Sequence, residues 1–226
     1  MVRATRLVRR FGYWLVLLLA AVSYVLCAAQ QGPNPNPVAF IAQLAMVAVA
    51  LWMAEVPRVL LRACWAVLAF AVVTVIVAEF AGLQGHVLDV ILSAASALAC
   101  LITPTAIIAH RVRQQTPGMQ NLLAAVTAYV TIGMLFTFVY NFIALLSPSP
   151  VIAGETGDTL RGQLFYSFST LTTIGYGNLV PLGPLMETLT VTQAITGQLF
   201  VVIAIAGMVT LRTSRKTETP SKEPSE

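Results

Sequence analysis

The chain has 226 residues, of which 58% are hydrophobic and 10% charged, and 13 Lys and Arg stand against 9 Asp and Glu for a formal net charge of +4. With a mean hydropathy of +0.82, this composition excludes an ordinary water-soluble domain. The basic residues sit in short clusters between apolar runs rather than on a solvated face, so the charge bears on membrane topology and no nucleic-acid partner is expected.

A hydrocarbon core of about 30 Å needs roughly 20 apolar residues to cross it. Arg3, Arg6, Arg9 and Arg10 precede the first such run, 11–29, which has no clear A-x-A cleavage site and reads as a retained signal-anchor helix behind a cytoplasmic N-terminus, 1–10. Further spans are expected over 38–56, 59–82, 87–109, 121–146 and 185–211, six in all. The predicted fold is therefore an all-α membrane protein. A four-helix bundle occupies 11–110, a cytoplasmic linker with Pro117 and Gly118 occupies 111–120, a second part covers 121–211, and a disordered cytoplasmic tail fills 212–226. Between the last two spans, 160–181 is too short and too rich in Gly and Thr to cross, yet opens on apolar Leu164, Phe165 and Tyr166. It reads as a re-entrant segment, with a helix over 160–172 capped by Asp158 or Thr159.

Orientation follows from the basic residues. With the N-terminus inside, Arg58 and Arg62, Arg111 and Arg113, and Arg212, Arg215, Lys216 and Lys222 all fall on the cytoplasmic side, and Arg161 alone falls outside. The same assignment places both termini in the cytoplasm.

The re-entrant segment carries the chemistry. Rapid passage of a monovalent cation requires its water shell to be replaced by a row of oxygens of similar strength, and backbone carbonyls supply such a row. To aim successive carbonyls at one axis the chain must alternate between ordinary and left-handed conformations, which glycine adopts without steric cost. Gly175 and Gly177 have that spacing, Thr173 adds a hydroxyl, and Ile174 and Tyr176 point away into the surrounding protein. Phe165, Tyr166 and Phe168 are the expected packing partners of Tyr176.

The string Thr172-Thr173-Ile174-Gly175-Tyr176-Gly177-Asn178, followed by Pro181, resembles the signature of the potassium channel superfamily. A Thr-x-Gly-Tyr-Gly string arises by chance in on the order of 10⁻³ of chains this long. The resemblance covers roughly 121–211. It implies an outer helix over 121–146, a pore helix over 160–172, a selectivity filter over 173–177 that binds K⁺, and an inner helix over 185–211. Because the chain has one copy, the resemblance also implies a homotetramer in a plasma membrane, by composition a bacterial inner membrane. Thr172, Asn178, Ser169 and Tyr166 are the expected filter supports, and Gly197 is the candidate gating hinge, with close helix packing as the alternative. Asn178 stands where the family commonly has Asp, and Ser169 where some members have a carboxylate. A Ser169–Asn178 hydrogen bond, direct or through a water, is therefore expected, and a weakly selective cation channel is the nearest rival. A non-conducting regulatory subunit is a further one.

Other features exclude more than they assign. Cys27, Cys100 and Cys64 lie in separate apolar stretches with no His at ligand spacing, so no metal other than K⁺ and no cofactor is expected. His86 and His110 lie at opposite ends of the fourth span, about 35 Å apart along a helix, so they share no catalytic site and the chain is not expected to be an enzyme. The fourth span carries no basic residue before Arg111, which disfavours steep voltage sensing. Pro104, between Thr103 and Thr105, should kink it.

Overall fold

The computed structural model describes residues 2–29, 43–49, 86–114 and 119–217. The expected spans 38–56 and 59–82 lie outside the described residues apart from the helical stretch 43–49, as do Arg58, Arg62 and Cys64. Five long or medium helices and one two-stranded ribbon are described: α1 (Val2–Ala28), α2 (His86–Gln114), α3 (Met119–Leu146), β1 (Ile152–Ala153), α4 (Leu160–Leu171), β2 (Val180–Pro181) and α5 (Pro184–Thr217). Among the described residues, two stretches are long and apolar enough to cross a membrane, Leu122–Leu146 in α3 and Pro184–Gly207 in α5. The apolar parts of the others, Trp14–Ala28 and Asp89–Thr105, are shorter.

α3 is the hub, packing against α1, α2, α4 and α5. Its sequence is apolar on every side, as befits a helix surrounded by others. Its buried threonines are satisfied within the helix: Thr127, Thr131 and Thr137 each donate to the carbonyl four residues earlier, at 2.7, 2.9 and 2.9 Å, which lets a hydroxyl sit in an apolar layer. One core cluster joins Cys27 of α1, Cys100 of α2, Met134 and Phe138 of α3, and Leu160 and Leu164 of α4. A second joins Tyr140 of α3, Tyr166 of α4, Leu179 and Met186 around the ribbon. Both described cysteines are buried free thiols.

Pro104 lies inside α2 and cannot donate to the Cys100 carbonyl. Thr103 Oγ1 donates to Ala99 O at 3.1 Å, and Thr105 Oγ1 to Leu101 O at 3.0 Å and Ile102 O at 2.8 Å. The hydroxyls thus serve the carbonyls on either side of the one that proline leaves.

Two boundaries differ from the sequence reading. Helix occupies most of the expected linker 111–120, because α2 runs on to Gln114 and α3 starts at Met119. α5 also continues through 212–217, within the expected disordered tail, and 218–226 lie outside the described residues. No Gly or Pro interrupts 208–217, so the helical ladder has no local reason to stop where the apolar run does.

α5 is unlike α3. Only 11% of its membrane-length window is buried, against 56% for α3. It touches α4 along a narrow stripe that includes Gln193 and Gly197, while Val191, Ile195, Leu199 and Val202 form an exposed apolar face that no described residue covers.

Candidate functional site

The loop 172–179 hangs from the C-terminal end of α4, and that helix is fixed at both ends. At its start Thr159 adopts an extended conformation, and its hydroxyl accepts from Gly162 N at 3.0 Å, an N-cap that satisfies one of the first-turn amides. One turn on, Gln163 is fully buried. It accepts at Oε1 from Asn141 Nδ2 at 2.9 Å and donates from Nε2 to Gly157 O at 3.4 Å, joining α4 to α3 and to the preceding turn. At the far end Thr172 closes the helix, its N–H and hydroxyl both donating to Phe168 O at 3.0 and 2.7 Å.

Beyond Thr172 the amides turn back to the helix. Thr173 N donates to Thr170 O at 3.0 Å, and Ser169 O accepts from Ile174 N at 2.9 Å and from Gly175 N at 3.2 Å. Three consecutive loop amides are thus taken up by the last carbonyls of α4. Among the described residues, none of the carbonyls of 173–177 accepts a hydrogen bond. All five residues are exposed. The α4 C-terminus beside them carries the negative end of the helix dipole.

The backbone alternates. Thr173, Gly175 and Gly177 have φ of +59°, +57° and +77°, while Ile174 and Tyr176 between them stay at negative φ. Two of the left-handed positions are the glycines that the spacing singles out. The third is a β-branched threonine, for which a left-handed backbone is a real outlier. Its hydroxyl donates to Thr172 O at 2.7 Å, a local bond that partly offsets the strain.

The aromatic cuff is narrower than expected. Phe165 stacks on Tyr176 with centroids 5.3 Å apart and planes 20° apart. Tyr166 and Phe168 serve other partners: the Tyr166 ring lies 5.3 Å from Tyr140, its hydroxyl shares a 2.6 Å hydrogen bond with Thr190, and Phe168 meets Tyr24 of α1 edge-on at 5.1 Å. Ile174 and Tyr176 remain 56% and 64% exposed. Behind them lies a cavity of about 340 Å³ lined by Tyr24, Arg161, Phe165, Phe168, Ile174 and Tyr176 among others.

The expected supports take different places. Ser169 is buried, but its hydroxyl donates within α4 to Tyr166 O at 2.9 Å rather than to Asn178. It is the Ser169 carbonyl that holds the loop. Asn178 is exposed, and Leu179 and the β1–β2 ribbon, with Ile152 opposite Pro181 and Ala153 opposite Val180, fasten the loop's exit. Gly197 lies inside an unbroken α5, where a Cβ would come 2.7 Å from both the Leu171 carbonyl oxygen and Leu171 Cδ1. Tyr129 of α3 donates to that same oxygen at 3.0 Å. Close packing is thus the geometry at Gly197, and Gln193 and Tyr129 are participants that the motif did not indicate.

Comparison with known proteins matches residues 126–213 to the ion channel family. An inward rectifier potassium channel, Kirbac3.1 of Paramagnetospirillum magnetotacticum, is 34% identical over 89 residues, or 39% of this chain. The matched stretch is 28% of that relative's length. No solved structure matches significantly. Residues 126–213 contain α4, the loop and nearly all of α5, and over this stretch the chain is similar to the ion channel family and to that potassium channel.

Proposed function

We propose that the chain is one subunit of a homotetrameric, potassium-selective channel that passes K⁺ passively across a bacterial inner membrane. Thr173, Ile174, Gly175, Tyr176 and Gly177 are its filter. The observation that carries this reading is the row of carbonyls at the exposed residues 173–177, without a donor among the described residues, on a backbone left-handed at alternate residues. Such a backbone turns successive carbonyls to one side, and four copies around an axis replace the water shell of a cation. The half-clothed Ile174 and Tyr176 and the bare face of α5 support an assembly in which neighbouring copies cover them. The matched relative's name supports K⁺ as the ion.

In this reading the chain has six spans with both termini cytoplasmic, α4 is a re-entrant pore helix, α3 and α5 are the outer and inner helices, and Thr172, Ser169, Tyr166 and Asn178 surround the filter. Ser169 acts through its carbonyl and Tyr166 through Thr190. Opening is not steeply voltage-dependent, because α2 carries no Lys or Arg before Arg111. Weak cation selectivity is the second reading, favoured by the neutral Asn178 at the loop exit.

Potassium efflux from liposomes holding the purified protein, with Na⁺ as competitor, tests the proposal against a Gly175→Ala variant. A non-glycine residue at φ +57° costs about 1–2 kcal/mol in each subunit, so the variant should assemble and lose K⁺ flux. Equal K⁺ and Na⁺ flux through the unaltered protein would favour the second reading.

A further inference from the structure

One buried group on α5 does not belong to the loop yet reaches toward it. Gln193 is fully buried in an apolar span, where an unpaired amide is costly. Its Nε2 donates to the Ser167 carbonyl at 2.9 Å and to the Ser167 hydroxyl at 2.7 Å, and its Oε1 accepts from the Tyr140 hydroxyl at 2.6 Å. The Ser167 hydroxyl donates in turn to Gly133 O at 2.7 Å. Ser167 and Tyr140 are fully buried as well. A neutral network therefore crosses α3, α4 and α5 with both amide N–H groups and the amide oxygen engaged.

The amide has one workable orientation. Turned over, its oxygen would face the Ser167 carbonyl, and two acceptors would meet with no proton between them. The network thus grips α4 directionally, which apolar contact does not. Where α3 meets α4, a Cβ on Gly133 would come 2.6 Å from Phe168 Cζ, a steric contact that sets how near the helices lie. The hydrogen bonds set how α4 is turned about its own axis: Ser167 to Gly133 and Asn141 to Gln163 from the α3 side, and the two from Gln193 to Ser167 from the α5 side.

That rotation matters two residues later, where Ser169 O accepts the amides of Ile174 and Gly175. We propose that Gln193 is a positioning residue for the conducting loop. Acting through Ser167, it holds α4 at the rotation that presents Ser169 O to those amides, and so fixes the carbonyl spacing that distinguishes K⁺ from Na⁺. The selectivity part of this proposal rests on the potassium-channel reading, whereas the positioning part stands on the geometry alone.

Hydrogen–deuterium exchange of the full chain in lipid nanodiscs separates the two. Gln193→Met keeps the length and apolar volume of the side chain and removes its three hydrogen bonds. Amides of 172–178 should then exchange about tenfold faster, while the middle of α3, held by its own ladder, is unchanged. Tyr140→Phe, which leaves both bonds to Ser167, should give a smaller acceleration. Unchanged loop exchange in an assembled Gln193→Met protein would overturn the proposal. Should that variant fail to assemble, Ser167→Ala and Tyr140→Phe decide: acceleration confined to the loop in either supports it, and no acceleration in both overturns it. In liposomes the K⁺-to-Na⁺ flux ratio of Gln193→Met should fall about tenfold with K⁺ flux retained. Loss of total flux at an unchanged ratio would mark Gln193 as structural only and overturn the selectivity claim. An unaltered protein without K⁺ preference would defeat the channel reading, and the exchange result would still decide whether Gln193 positions the loop.

Discussion

Gly197→Ala distinguishes a hinge from a packing contact on α5. The added methyl would come 2.7 Å from Leu171 O and from Leu171 Cδ1, and 3.2 Å from Leu171 Cγ. Comfortable separations are about 3.5–4.0 Å. The Leu171 side chain can rotate away, but its carbonyl is part of the α4 backbone and is held by Tyr129, so the helices themselves must part. Overpacking of this kind costs about 1–3 kcal/mol, and the helix-forming advantage of Ala over Gly offsets roughly 0.5–1 kcal/mol of it. A net destabilisation of about 1–2 kcal/mol per subunit is expected. Gly207→Ala is the control, since a Cβ there meets nothing within 4 Å among the described residues. Thermal dissociation of the assembled protein, followed by size-exclusion chromatography, should show a clearly lower midpoint for Gly197→Ala than for Gly207→Ala. Equal midpoints together with altered opening would refute the packing argument and restore Gly197 as a hinge.

Two further substitutions probe the loop and its helix. Thr173→Gly relieves a left-handed threonine at φ +59°, worth about 1–2 kcal/mol, while deleting the hydroxyl, so the melting midpoint should rise as K⁺ preference in a flux assay falls. Thr159→Ala removes the acceptor of Gly162 N and should destabilise α4 by about 0.5–2 kcal/mol. That loss is visible as faster amide exchange in its first turn with the loop amides little changed.

Much of the segment 159–177 was legible because its residues follow local rules. Thr159 caps α4 since a short hydroxyl side chain before an apolar run can reach a free amide, and Gly175 and Gly177 take the left-handed backbone that their spacing called for. Thr173 was read for its hydroxyl, because nothing local favours a β-branched residue there. The alternation demanded by the loop overrides its preference. Ser169 was read for its side chain, whereas its carbonyl does the holding, a role invisible to residue type. Gln193 is one of several polar residues in α5, among Thr190, Thr192, Thr196 and Gln198, and its partners are 26 and 53 residues away, so only the tertiary fold brings them together. Tyr24, from the first helix, meets Phe168 for the same reason.

The most direct test of the central claim is the reversal potential in a planar bilayer with equal concentrations of KCl on one side and NaCl on the other. Each tenfold preference for K⁺ contributes about 59 mV for a singly charged ion, so a filter of aligned carbonyls predicts a reversal potential of that size or larger, lost in Gly175→Ala. A value near zero in an assembled, conducting protein would contradict potassium selectivity at this loop.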